Sequence, residues 1–81
     1  MNKSIITEIK RALRRHLRTI GATFNAYSYD VNEYDVNPHI SCCAKSEDKK
    51  TDLEIRCYIG MDIEMEHYCS ETGEHYLTTE H

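Results

Sequence analysis

Hydrophobic residues recur along this chain with two different periods, and the change falls near residue 22. Over residues 4–20, Ile5, Ile6, Ile9, Ala12, Leu13, Leu17 and Ile20 keep the three-to-four spacing of an amphipathic helix. At 100° per residue they fall inside an arc of roughly 140°, the width of a core-facing stripe. His16 lies on the same side. Lys10, Arg11, Arg14, Arg15 and Arg18 occupy the opposite arc. Asn2 or Ser4 is suited to cap the first amides, and Gly21 to stop the helix in a left-handed turn.

From Thr23 onward the period is two, which predicts strands with one buried face at about residues 24–31 and 34–36, 39–45, 52–59, 63–69 and 75–79. Tyr27, Tyr29 and Val31 alternate with polar residues; the phase then slips near Asn32 and Glu33, so that Tyr34 and Val36 follow. A bulge or tight turn accounts for such a slip. The clearest alternation runs from Leu53 to Cys69, with odd positions mostly apolar and even positions charged or tyrosine. Gly60 divides this run into a hairpin, or kinks one long strand. A loop with an odd number of residues, such as 60–62, keeps one face apolar and sets Cys57 opposite Met65 and Arg56 opposite Glu66. The expected fold is α+β: residues 1–81 as one domain, with an N-terminal amphipathic helix on a four- or five-stranded antiparallel meander.

With 81 residues, 40% of them hydrophobic and 30% charged, the chain has the composition of a globular protein. A core of this size is marginal without help from a second copy, a partner or a metal. No apolar run approaches the ~18 residues of a membrane span. The first residues lack the apolar block of a secretory signal, so a cytoplasmic location is expected. Cys42, Cys43, Cys57 and Cys69 are then expected as reduced thiols.

Charge adds a polarity that hydropathy does not show. Residues 1–20 hold six basic side chains against one acid, and residues 21–81 hold four basic against thirteen acids, within a net charge of −4. Folding turns this asymmetry into a two-faced surface field, which bears on partners. By phase, Asp30, Glu54, Tyr58, Glu64, Glu66 and Tyr68 share the outer face of the sheet. Carboxylates interleaved with tyrosines on a rigid sheet resemble a nucleic-acid backbone to a basic groove, and tyrosine is a common interface anchor.

The leading expectation is therefore a non-enzymatic interaction protein that binds a protein partner through its polarised surface. Its most concrete form is a compact inhibitor of the kind phages or mobile elements turn on a host nucleic-acid-processing protein, an anti-defence, anti-CRISPR-like role. The alternative is direct nucleic-acid binding by Lys10, Arg11, Arg14, Arg15 and Arg18. Solvation alone accounts for the same charged faces, and a homodimer is compatible with the sequence.

A zinc-stabilised module is a third expectation, with Cys57, His67 and Cys69 as weak candidate ligands alongside His39 and Cys42. Paired Cys-x-x-Cys knuckles are lacking, so the spacing signal is poor. No cofactor is implied. Cys43 is the only cysteine whose phase points outward, and no histidine is placed beside it to act as base, so an enzyme is not expected.

Overall fold

Asn2 opens the first element: its side chain accepts a hydrogen bond from the Ile5 amide at 2.9 Å, and helix α1 runs from Lys3 to Thr19. Its end is equally well defined. The Gly21 amide donates to the Arg18 carbonyl and the Ala22 amide to the Leu17 carbonyl, the two bonds of a Schellman cap. Gly21 sits at φ +73°, and a Cβ there would lie 3.1 Å from the Glu47 carboxyl group. Gly21→Ala is expected to lower stability by about 1 kcal/mol in a chemical denaturation experiment, because left-handed strain outweighs the reduced freedom of the unfolded chain.

The computed structural model describes residues 1–80; His81, part of the expected 1–81 unit, lies outside the described residues. After α1 come β1 (Thr23–Phe24), a 3-10 turn (Ala26–Ser28), β2 (Asp30–Asn32), β3 (His39–Lys45), β4 (Thr51–Tyr58), β5 (Ile63–Cys69) and β6 (His75–Glu80). All pairings are antiparallel. The order is β1-β3-β4-β5-β6, with β2 also on β3, so the class is α+β and β3 to β6 form a meander. No helix among the described residues is long and apolar enough to cross a membrane.

One ridge joins the two layers. Ile9, Leu13 and Leu17 lie one turn apart on α1 and are fully buried against Ile40, Cys42, Ile55 and Cys57. Ala44, Leu53 and Met65 complete the core, and Ile5, Ile6, Ala12 and Phe24 pack at its rim. α1 lies over β3 and β4 and reaches β1, which leaves β5 and β6 largely uncovered. Ile20, expected on the apolar stripe, is the C-cap residue and is exposed.

The expected strands at 24–31 and 34–36 are corrected. β1 and β2 are short edge segments on the same side of β3, and residues 25–29 bulge out opposite Cys42 and Cys43. Asn25 causes the break: its side chain accepts from the Tyr27 amide and starts the 3-10 turn. Ser28 then accepts from the Cys43 amide at 3.2 Å and replaces the missing ladder partner. Residues 33–37 form a loop in which the Asp35 side chain accepts from the Asn37 amide. Tyr27, Tyr34 and Val36 are 98%, 95% and 94% exposed, so their alternation reflects no buried face.

The β4–β5 register differs from expectation by two residues. The Tyr58 amide donates to the Asp62 carbonyl, Met61 takes φ 70°, and Cys57 stands opposite Ile63 and Arg56 opposite Glu64. The loop between the paired residues has an odd count, 59–61, as one apolar face requires. Ile59 and Met61 sit in this turn and are partly exposed, outside the apolar face.

Candidate functional site

Register puts all six residues of the expected acidic face on the side of the sheet away from α1. Asp30 pairs with Ser41, Ser41 with Arg56 and Arg56 with Glu64; Glu54 pairs with Glu66, and Asp52 with Tyr68. Tyr58 lies two residues along β4 from Arg56 and therefore on the same face. Three of the carboxylates, Glu54, Glu64 and Glu66, are held by one cation. The Arg56 guanidinium, with only 13% of its side chain exposed, reaches Glu64 at 2.8 Å, Glu66 at 2.9 Å and Glu54 at 3.6 Å. Tyr58 donates its hydroxyl to Glu64 at 3.3 Å, and His75 lies 3.5 Å from Glu66. Lys45 pairs with Asp52 at 2.9 Å in the same layer.

Arg56 thus separates carboxylates that would otherwise face each other directly, Glu54 against Glu66. Burial opposes its charge, but bonds to Glu66 and Glu64 outweigh that and raise the guanidinium pKa. The hydrogen bond and charge of Arg56, assisted by His75, hold the Glu66 carboxyl below its ordinary value. Burial, followed by the Glu64 charge, raises the Tyr58 phenol. A depressed carboxylate stabilises the fold above its unfolded pKa, and that contribution is lost as pH falls through the folded one. Arg56→Met removes the cation that holds the Glu66 carboxyl in its charged form, so the loss is felt where that carboxylate is ionised and fades as acid protonates it. The gap in melting temperature between the native protein and this variant is therefore expected to shrink between about pH 7 and about pH 4. A constant gap over that interval, seen by calorimetry, contradicts this role for Arg56.

The other face of the molecule is the solvent side of α1. Arg11, Arg14, Arg15 and Arg18 follow i, i+3, i+4, i+7 and span an arc of about 100° and an axial length of about 10 Å. All four are exposed. With Thr19 they line one open groove. None of the four takes part in an ion pair among the described residues. Lys10, the fifth member of the expected set, stands apart: its Nζ lies 5.3 Å from the centre of the Tyr29 ring and the side chain is half-buried. His16 faces β6, with Nδ1 3.2 Å from the Glu80 carboxylate.

The weak metal candidates do not converge. Cys57 and Cys69 stand at opposite ends of the β4–β5 ladder, six residue steps and about 20 Å apart. His67 pairs across from Leu53, stacks on Tyr76 at 4.3 Å and bonds Thr78 at 2.9 Å. His39 and Cys42 lie on opposite faces of β3, with His39 Nδ1 2.8 Å from the Asn37 carbonyl. No group of three potential ligands assembles among the described residues. All four cysteines are free; burial raises the Cys42 thiol and pushes the Cys57 thiol up to about 11. Hydrogen bonds from Thr72 lower the Cys69 thiol.

Two of these features escaped the sequence. The convergence of three glutamates on Arg56 depends on register, and the separation of Lys10 from the arginine row depends on where Tyr29 lands. No protein-family model matches the chain, and neither a curated protein nor a solved structure is significantly similar to it.

Proposed function

We propose that this chain is a small binding module, without catalysis of its own, that holds nucleic acid by its phosphate backbone through Arg11, Arg14, Arg15 and Arg18. One observation carries this function: four exposed guanidinium groups stand in a single row with no carboxylate of the described residues paired to them. Like charges at helical spacing destabilise a helix, and a row of phosphates relieves that repulsion. Arginine suits the task because its planar fork engages phosphate in two bonds.

The composition of this helix face favours nucleic acid over an acidic protein. Protein interfaces centre on apolar and aromatic anchors, whereas nucleic-acid interfaces are polar and strongly basic. From Lys3 to Thr19 the exposed positions of α1 are all polar or charged. The Thr7 and Thr19 hydroxyls are occupied by backbone carbonyls of the helix itself, so phosphate contact without base reading is expected. The axial length of the row, about 10 Å, matches about three phosphate steps along one strand. Four unpaired thiols suit the reducing cytoplasm.

Fluorescence anisotropy with a labelled DNA duplex tests this function directly. Binding at low salt that disappears when the four arginines become glutamine supports it; an anisotropy that never rises at low salt rejects it. If an acidic peptide competes as well as unlabelled duplex of equal charge, the row serves acidic proteins instead.

The outer sheet face favours a second function, inhibition of a nucleic-acid-processing protein of the phage or mobile-element kind. Arg56 holds Glu54, Glu64 and Glu66 in fixed positions beside Tyr58, which lowers the ordering cost of docking into a basic groove. Loss of a stoichiometric complex with such a protein in Asp30→Lys and Glu54→Lys, but not in the glutamine variant of the arginine row, would favour this face.

A further inference from the structure

The two edges of the sheet are unlike. On one, the β1 and β2 segments are two and three residues long and are interrupted by the 3-10 turn. The other edge is β6, six unbroken residues, all of them exposed. It carries no proline, lysine or bulge, the devices that usually blunt an edge. Tyr76, Leu77, Thr78 and Thr79 at its centre are uncharged, and three of the four are strong strand formers. Tyr76 and Leu77 are about half exposed; α1 lies over β3 and β4 and meets β6 where His16 approaches Glu80.

The ladder shows which backbone groups are open. The Cys69 amide donates to the Glu74 carbonyl, and the pairs from Tyr68–His75 to Ile63–Glu80 continue in the same register. Bonding and non-bonding pairs alternate along antiparallel strands. Tyr76, Thr78 and Glu80 therefore turn their amides and carbonyls toward β5, while His75, Leu77 and Thr79 turn theirs outward. The free edge is a row of three N–H and three C=O groups.

We propose that a second copy of this chain pairs with that edge, β6 antiparallel to β6 about a twofold axis at Leu77. In this register Leu77 meets its own counterpart, His75 meets Thr79 and Tyr76 meets Thr78, so the three outward residues of each strand exchange six hydrogen bonds. Symmetric pairing sets a strand against its own charges; here the central four residues have none, and tyrosine against threonine is a favourable cross-strand pair. The twofold axis is normal to the sheet, so both helices lie on one side of a continuous sheet and both arginine rows stand on that side. The only like charges brought together are Glu74 and Glu80, at the two ends. The pairing rests on the edge alone and not on the arginine row.

Sedimentation equilibrium of the native chain over a wide concentration range tests it. The expected result is a mass of twice 9.5 kDa. Thr79→Pro removes an outward amide without touching the β5 ladder, and Leu77→Lys sets two charges against each other; both are expected to be monomeric with unchanged circular dichroism. Glu74→Lys turns two repulsive contacts into attractive ones and is expected to tighten the dimer by about tenfold. A native chain that stays at 9.5 kDa into the millimolar range overturns the proposal. So does a dimer that Thr79→Pro and Leu77→Lys both leave at native strength, or one that Glu74→Lys fails to tighten. A monomer that still binds duplex DNA would remove the pairing and leave the arginine row standing.

Discussion

Leu13→Ala is expected to lower the stability of this protein by about 3–5 kcal/mol, the range for deleting a fully buried leucine from a well-packed site. Leu13 is the middle of the Ile9–Leu13–Leu17 ridge and has no solvent exposure. The ridge is the main attachment of α1, so the site has no second layer to collapse into. A chain of this length has a total stability of about 4–12 kcal/mol, which makes the loss a large fraction of the whole. The melting temperature is expected to fall by roughly 15–30 °C. An exposed position on the same helix, Thr7→Ala, is expected to change stability by no more than about 0.5 kcal/mol. A Leu13→Ala loss below about 1 kcal/mol would mean that α1 does not sit on β3 and β4 as described.

Replacing Arg11, Arg14, Arg15 and Arg18 with glutamine is expected to separate binding from stability. Four phosphate contacts give a salt exponent of about −3.6, so the native protein loses about 100-fold in affinity between 50 and 200 mM salt. The glutamine variant lacks those contacts, and its affinity at 50 mM salt is expected to fall by at least that factor. Stability moves the other way. The row contains four like-charge pairs at i, i+3 or i, i+4 spacing, and each costs an isolated helix about 0.2–0.5 kcal/mol. Glutamine keeps the helix propensity of arginine while removing these repulsions. The variant is therefore expected to be more stable by roughly 1–2 kcal/mol while it no longer binds. A helix face that is only solvated would show the gain in stability with no function to lose.

Much of this molecule was legible in the order of its residues because each layer buries one face. The spacing of Ile9, Leu13 and Leu17 locates the helix ridge, and the alternation from Leu53 to Met65 locates the sheet face it covers. The acidic residues then had to lie opposite. The region from Thr23 to Asn37 departs from its alternating pattern for a physical reason: tyrosines and valines at alternate positions carry strand propensity, but propensity needs a partner surface to become a strand. Short-range bonds from Asn25 and Asp35 to nearby amides turn the chain there instead. The hairpin register lies two residues from the one centred just past Gly60, because Met61 and not a glycine holds the left-handed position. The grouping of Glu54, Glu64 and Glu66 on Arg56 follows from that register and from nothing local. Whether an arginine on the helix finds a carboxylate depends on which loops approach it, which no periodicity records.

The salt dependence of DNA binding tests the central claim most directly. Dissociation constants for a short duplex, measured by anisotropy from 50 to 200 mM salt, are expected to give a logarithmic slope between about −3 and −4, falling in magnitude by about 0.9 for each arginine of the row changed to glutamine. A slope that stays the same as Arg11, Arg14, Arg15 and Arg18 are removed one by one, or no binding at 50 mM salt, would contradict the assignment of this helix face as the working surface.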